Sequence, residues 1–191
     1  MRNVICLGDS LTYGFPFGPK ASWVELAAKT TGLALVNRGI NGETTGDMLS
    51  RFVKDVVQKN PSVVVILGGT NDAWSGVPVS ETRQNMDAMT EYALTANIRP
   101  VIALPPPIYR QLSGRGLEIV VHRLENYRET FRNLVREQKL VMIDFYTPLM
   151  DADTGWGKEE YFYDDAHPSL AGYRKMGETA TTFFKKQLHH Q

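Results

Sequence analysis

The chain has 191 residues, 42% of them hydrophobic and 22% charged, which is the balance of a globular protein and excludes a mainly disordered one. Its 21 Lys and Arg residues are matched by 21 Asp and Glu residues, and the resulting zero net charge argues against a nucleic-acid binder, which carries a basic excess. The only cysteine, Cys6, excludes an internal disulfide, and the length predicts one domain over residues 1–191.

From its sequence, we expect the chain to have no segment for membrane insertion or export. No apolar stretch approaches the roughly 18 residues that a membrane-spanning helix needs. The N-terminus carries only four apolar residues after Met-Arg-Asn, which is too short for the core of a signal peptide. We therefore expect a cytoplasmic protein without a membrane span.

Short apolar runs alternate along the chain with segments whose apolar residues recur at helical spacing. In chain order these predict a strand at residues 4–7, a helix from the capping box at Ser22 to Gly32, a strand at 33–36, a helix over 48–57 that ends before Asn60-Pro61, a strand at 63–67, a helix over 80–96, a strand at 101–104, a helix over 117–135, a strand at 140–143 and a helix over 170–184. Strands that alternate with helices form parallel sheets buried on both faces. We predict an α/β protein with a three-layer α/β/α flavodoxin-like fold around a five-stranded parallel sheet.

Cys6 lies within the first apolar run, which favours a small buried hydrophobic residue over a nucleophile.

Chemically active residues follow four of the predicted strands. In chain order they are Gly8-Asp9-Ser10-Leu11, Asn41-Gly42-Glu43-Thr44, Gly68-Gly69-Thr70-Asn71-Asp72 and, after a longer loop, Asp164-Asp165-Ala166-His167-Pro168. Because the carboxyl ends of parallel strands meet at one edge of the sheet, these segments are expected to converge there. A hydroxyl, a glycine turn, a carboxamide and a carboxylate–imidazole pair are the parts of a serine acyl hydrolase.

The four segments, in this order, resemble the ordered blocks of the SGNH (GDSL) hydrolase superfamily, and they span residues 8–168. The first is similar to the nucleophile block, the second to the glycine block, the third to the asparagine block and the fourth to the terminal acid–histidine block. The resemblance implies a small member of the esterase and lysophospholipase type. Thr12 stands where the Gly-x-Ser-x-Gly elbow has its second glycine, which argues against a standard α/β-hydrolase.

The base for Ser10 is identified by elimination among four histidines. His189 and His190 lie at the C-terminus, where order is poor. His122 lies beside the apolar stripe of its helix and is expected to face solvent. His167 therefore remains as the predicted base.

Asp164 precedes His167 by three residues, a spacing that can bring a carboxylate onto the imidazole within one turn. Asp165 is the alternative acid. The resemblance favours Asp164, which gives a predicted triad of Ser10, His167 and Asp164.

The resemblance also implies an oxyanion hole made of the Ser10 N–H, the Gly42 N–H and the Asn71 side-chain amide. From the residues alone, Gly42 also suits a plain turn after Asn41, and Asn71 also suits a cap of the loop after its strand. Asp9 and Asp72 are predicted to be structural acceptors of loop N–H groups.

The aromatic residues Tyr13, Trp74, Tyr109 and Trp156 are candidate substrate contacts, although covering the core is an equal alternative for each. The preferred substrate is a small-molecule short-acyl ester, with O-acetylated carbohydrates included. A lysophospholipase or an acyl-thioesterase is the enzymatic alternative, and a non-catalytic ligand-binding module on a flavodoxin-like sheet is the alternative of another class.

No metal or cofactor is expected, because the chain has no His-Glu-x-x-His motif and no cysteine pair.

Overall fold

A computed structural model describes residues 3–109 and 115–188 of the chain. Its strands are β1 (Asn3–Gly8), β2 (Ala34–Gly39), β3 (Val63–Leu67), β4 (Arg99–Leu104) and β5 (Val141–Asp144). Its α-helices are α1 (Ser10–Tyr13), α2 (Trp23–Thr31), α3 (Thr45–Asp55), α4 (Thr70–Ser75), α5 (Val79–Thr95), α6 (Arg115–Glu137) and α7 (Leu170–Leu188). Single 3₁₀ turns lie at Pro19–Ala21, Val57–Lys59, Thr147–Leu149 and Glu159–Tyr161.

The strands form one parallel sheet in the order β2-β1-β3-β4-β5, which is the flavodoxin order and confirms the predicted fold class. The chain leaves β1 towards β2 on one side and returns to β3 on the other. Gly8 at the end of β1 is in register with Gly39 of β2 and Leu67 of β3. The loops after these three strands therefore begin at the same level of the same edge.

Alternate residues of each strand face the two helical layers, because successive side chains point to opposite sides of a sheet. On one side, α3, α5 and α6 contribute Phe52, Met86 and Phe131 to the core. On the other side, α2 and α7 contribute Trp23 and Tyr173. The accessible surface is 9,088 Å², close to the roughly 9,000 Å² expected for a folded chain of this mass.

Cys6 is fully buried in β1, which confirms its interpretation as a small hydrophobic residue. Burial raises the pKa of its thiol well above the ordinary value, so the thiol stays protonated.

Most helix boundaries agree with the sequence pattern, and the differences have local causes. Ser22 accepts a hydrogen bond from the Glu25 N–H, and Gly32 ends α2 with a φ of +70°. Helix α3 begins three residues before the predicted start, because Thr44 and Asp47 form a full capping box. Helices α1 and α4, with four and six residues, were not predicted, since they are too short to show a helical period.

Within residues 3–109 and 115–188, none of the helices combines the length and the apolar character needed to cross a lipid bilayer.

Candidate active site

Ser10 lies at the first position of α1, immediately beyond the end of β1. Asp9 caps the helix, since its Oδ1 accepts the Leu11 N–H at 2.8 Å. The turn is tight enough that a Cβ on residue 8 would lie 2.2 Å from Thr12 Oγ1 and 2.7 Å from the Leu67 carbonyl oxygen. Only glycine fits at that position, so Gly8 lets the chain turn sharply and present Ser10, 6% exposed, at the sheet edge.

A continuous chain of hydrogen-bonding groups joins Ser10 to His167 and Asp164. The Ser10 Oγ lies 3.0 Å from His167 Nε2. The other ring nitrogen, Nδ1, lies 2.8 Å from Asp164 Oδ2 and 3.0 Å from Oδ1. These distances place an imidazole beside the hydroxyl and a carboxylate beside the imidazole, an arrangement that can activate a serine hydroxyl.

The turn 164–167 holds this carboxylate and this imidazole in place through its own backbone. Asp164 Oδ1 accepts the N–H groups of Ala166 and His167 at 2.9 and 2.7 Å. Burial works to raise the pKa of Asp164, but these two N–H groups and the imidazole outweigh it, so the pKa lies below its ordinary value. Asp164 is therefore ionised at neutral pH and favours the His167 tautomer that carries its proton on Nδ1.

An aromatic ring packs on the imidazole from the side of the loop after α1. The Phe15 ring centroid lies 4.6 Å from that of His167. The Phe15 carbonyl accepts a hydrogen bond of 2.8 Å from the hydroxyl of the buried Tyr173 on α7. This hydrogen bond anchors the loop that brings the tilted Phe15 ring into contact with the imidazole.

The carboxylate that faces the imidazole is that of Asp164, whereas Asp165, the alternative acid, lies beside it on the cavity wall. His122 is exposed on α6, as predicted. His189 and His190 lie outside the described residues.

Asn71, the second residue of α4, reaches the same cavity as Ser10. Its Nδ2 donates to the Glu43 carbonyl at 2.9 Å and approaches Asp9 Oδ2 at 3.4 Å. Gly42 lies next to Glu43, in the exposed turn after β2, with a φ of +82° and open space where a Cβ would stand. The loop that carries Gly42 is thus tied to Asn71 through a backbone carbonyl.

Asp9 and Asp72 are structural acceptors, as predicted. Asp72 is fully buried and accepts the Thr45 N–H at 3.0 Å, which joins α4 to the start of α3. Asp9 is also fully buried, and this burial, reinforced by the charges of Asp72 and Glu43, raises its pKa to about 7.

Among the residues that the structure describes, no group of three or more His, Cys, Asp or Glu side chains is arranged to hold a metal ion.

A cavity of about 350 Å³ opens over Ser10 and His167, and its walls come from α4 and the turn 164–167. Of the four predicted substrate contacts, Trp74 lines this cavity and is 43% exposed. Thr70 also lines it, and its buried Oγ1 has no hydrogen-bond partner among the described residues. Sequence reasoning did not select Thr70, although its position directly before Asn71 is a signal for it.

The other three predicted contacts are not among the residues that line this cavity, although the Tyr109 N–H donates at 2.8 Å to the carbonyl of Asp165, which does line it. Tyr109 stacks on Phe162 at a centroid distance of 6.0 Å and packs against the core on the α7 side. Trp156 lines a separate cavity of about 270 Å³ next to Arg128. Tyr13 is half-buried at the end of α1. The alternative interpretation, in which aromatic residues cover the core, describes Tyr109 best.

The fold and this site define a class of protein: a doubly wound α/β chain with a serine, a histidine and a carboxylate aligned at the carboxyl ends of its strands. A family model for the GDSL-like lipase/acylhydrolase family matches residues 6–175. The chain belongs to this family and is a carboxylic ester hydrolase.

Known relatives agree with this assignment. An acetylxylan esterase of Geobacillus stearothermophilus is 24% identical over 150 residues, which cover 74% of this chain and 68% of the relative. The thioesterase 1/protease 1/lysophospholipase L1 of Escherichia coli K12 is 24% identical over 181 residues, which cover 90% and 80%. A solved structure from the lipolytic G-D-S-L family of Desulfitobacterium hafniense has a TM-score of 0.85 and 33% identity, with 95% of this chain and 99% of that chain covered.

Proposed function

We propose that the chain hydrolyses short-acyl esters through a catalytic triad of Ser10, His167 and Asp164. The observation that carries this proposal is the unbroken contact from Ser10 Oγ to His167 Nε2 and from His167 Nδ1 to the Asp164 carboxylate. His167 takes the hydroxyl proton as Ser10 attacks the ester carbonyl. Asp164 stabilises the imidazolium that forms.

The negative oxygen of the tetrahedral intermediate lies among the Ser10 N–H, the Gly42 N–H and the Asn71 amide. His167 then protonates the leaving alcohol, which leaves an acyl group on Ser10. Water, deprotonated by the same imidazole, releases this acyl group and restores the free hydroxyl.

The substrates that we propose include O-acetylated carbohydrates. The cavity is open and is walled on one side by the exposed indole of Trp74, a surface on which a sugar ring can stack. The acetylxylan esterase relative supports the same choice. The alternative, a lysophospholipase or acyl-thioesterase, is supported by the Escherichia coli relative and by the exposed pair Phe17 and Tyr163, whose ring centroids are 5.8 Å apart.

The decisive experiment treats the wild type and Ser10→Ala with a fluorophosphonate probe and with p-nitrophenyl acetate. We expect covalent labelling and turnover in the wild type and neither in the variant. Folded wild-type protein that takes up no label and hydrolyses no ester would favour the non-catalytic binding module.

A substrate panel separates the candidate substrates. Nitrophenyl esters of increasing chain length, acetylated xylose and acyl thioesters are compared by kcat/KM in wild type and in Trp74→Ala. We expect the highest values with acetyl esters and a larger loss for acetylated xylose than for p-nitrophenyl acetate in Trp74→Ala. Highest activity on long acyl chains would instead support the lysophospholipase alternative.

A further inference from the structure

Arg51 on α3 lies beside the oxyanion loop, which we define as residues 40–44. Its side chain is only 12% exposed. Its Nε donates to both carboxylate oxygens of Glu43, at 2.9 and 2.8 Å, and Nη2 lies 2.5 Å from the second of them. A planar guanidinium that holds a carboxylate through two of its nitrogens fixes the orientation of both groups. The Glu43 side chain is thus held against α3.

The same guanidinium also reaches the carboxyl ends of the neighbouring strands β1 and β2. Nη2 donates to the Gly8 carbonyl at 3.2 Å and to the Arg38 carbonyl at 3.0 Å. Gly8 is two residues before Ser10, and its carbonyl also accepts the Ile40 N–H at 3.0 Å. Arg51 therefore joins the end of β1, the end of β2 and the oxyanion loop through one rigid group.

A further link, from Arg51 to Asn71, runs through the backbone of Glu43. Its carbonyl accepts the Asn71 amide at 2.9 Å, and its amide nitrogen belongs to the peptide that follows Gly42. Any displacement of Glu43 therefore moves the acceptor that orients Asn71 and changes the position of Gly42. Ser10, Gly42 and Asn71 come from three separate segments, and Arg51 contacts the first two segments and is linked to Asn71 through Glu43.

We propose that Arg51 is a positioning residue that aligns the three oxyanion donors with one another by clamping Glu43 onto the ends of β1 and β2. This inference rests on the proposed function, since it assigns Arg51 a role in the same oxyanion hole. Arg51 is not among the residues that line the cavity over Ser10. Its contribution is to keep the three oxyanion donors aligned when negative charge develops on the substrate oxygen.

The proposal makes a specific kinetic prediction. Displacing a reacting group by about 1 Å costs on the order of 10²-fold in rate. We therefore expect Arg51→Met to lower kcat about 10²-fold, with KM within about threefold of the wild-type value, because the donors act on the transition state and less on the bound ester. Arg51→Lys should show an intermediate loss, since an ammonium cannot reproduce the two-nitrogen contact.

The experiment measures kcat and KM for p-nitrophenyl acetate, together with the inhibition constant of an alkyl boronic acid, which mimics the tetrahedral intermediate. Glu43→Ala removes the other half of the clamp and should lose kcat and boronate affinity in parallel with Arg51→Met. Glu43→Gln restores an oxygen acceptor for Nε and should recover most of the activity lost in Glu43→Ala. The double variant Arg51→Met/Glu43→Ala should be no slower than the slower single variant, because both changes break the same contact.

Asp55→Asn is the matched control. Asp55 accepts from Nη1 of the same guanidinium at 2.9 Å but has no contact with the oxyanion loop. It should keep kcat near the wild-type value, even where its thermal unfolding temperature falls as far as that of the other variants.

The outcomes are separable. A folded Arg51→Met that turns over within threefold of wild type overturns the positioning role. If Arg51→Met does not fold, a Glu43→Ala variant that turns over within threefold of wild type overturns it equally. A loss confined to KM, or an equal loss in Asp55→Asn, also overturns it. Failure of the proposed function itself is distinct, because then the wild type neither labels at Ser10 nor hydrolyses the ester.

Discussion

Replacing Asp164 by Asn turns one carboxylate oxygen, which accepts hydrogen bonds, into an NH₂ group, which donates them. The size of the side chain is preserved. The remaining carbonyl oxygen still accepts the N–H groups of Ala166 and His167, which Asp164 Oδ1 accepts at 2.9 and 2.7 Å. The new NH₂ group takes the place of the oxygen that lies 2.8 Å from His167 Nδ1. Because that group donates, it favours an Nδ1 that accepts and a ring proton on Nε2, in competition with the remaining Oδ1, which lies 3.0 Å from Nδ1 and already accepts two backbone N–H groups.

The consequence falls on Ser10. With a proton on Nε2, the ring donates to the hydroxyl 3.0 Å away, and its remaining lone pair, on Nδ1, faces away from Ser10 and cannot take the hydroxyl proton. A carboxylate-to-amide change that inverts the imidazole tautomer in this way costs about 10⁴ in kcat, which is about 5.4 kcal/mol in activation free energy. We expect Asp164→Asn to lose about this much of its turnover and to keep its fold.

The assay follows p-nitrophenyl acetate hydrolysis near neutral pH, with circular dichroism and thermal unfolding as checks on folding. Asp165→Asn is the matched control, since it makes the same chemical change one residue away on the same cavity wall. We expect it to stay within tenfold of wild type. Wild-type-like turnover in Asp164→Asn, or a larger loss in Asp165→Asn, would refute the assignment of the acid.

Three further predictions concern residues around the proposed triad. Asn71→Ala should lower kcat about 10²- to 10³-fold with little change in KM, as measured by steady-state kinetics, and an unchanged kcat would contradict its place in the oxyanion hole. Because burial raises the pKa of Asp9 from 3.8 to about 7, the folded protein retains a proton that the unfolded chain releases between these values. The free energy of unfolding should therefore fall as pH rises from about 4 to about 7, and urea titrations should show a smaller fall in Asp9→Asn. Gly39→Ala should cost more than about 3 kcal/mol in urea titrations, because its Cβ would lie 2.1 Å from the Tyr13 backbone nitrogen, whereas Gly116→Ala, with open space around it, should cost nothing.

The layers of the fold could be predicted because burial leaves a local pattern. Each central strand is a run of apolar residues, and each long helix repeats its apolar residues along one face. Strand β2 was predicted to stop before Asn37, since polar residues follow, yet it continues to Gly39. The Asn37 amide donates to the Thr12 carbonyl at 2.7 Å, so a polar residue in this edge strand is satisfied by a contact 25 residues away in the chain.

The site was predictable in its chemistry and less so in its surroundings. Ser10, His167 and Asn71 carry reactive or hydrogen-bonding groups directly after strands or in a short acid–histidine motif, so local sequence indicates them. The aromatic contacts have no such signal. Trp74 and Trp156 look alike in the sequence, and only the packing places one on the cavity with Ser10 and the other on a separate cavity.

The sequence by itself determined the parallel sheet, the order of the reactive segments and the short acid–histidine motif, because each depends on the period of apolar residues or on short spacing. The structure then placed Asp164, rather than the alternative Asp165, against the His167 ring. Only the tertiary structure decided that Arg51 joins the ends of β1 and β2 to Glu43, and that Thr70 has a buried hydroxyl without a partner among the described residues. The physical reason is that the Arg51 contacts join segments far apart in the chain, and that the burial of the Thr70 hydroxyl depends on the segments packed around it. Their partners are set by how the helices and loops pack on the sheet, which no local spacing records.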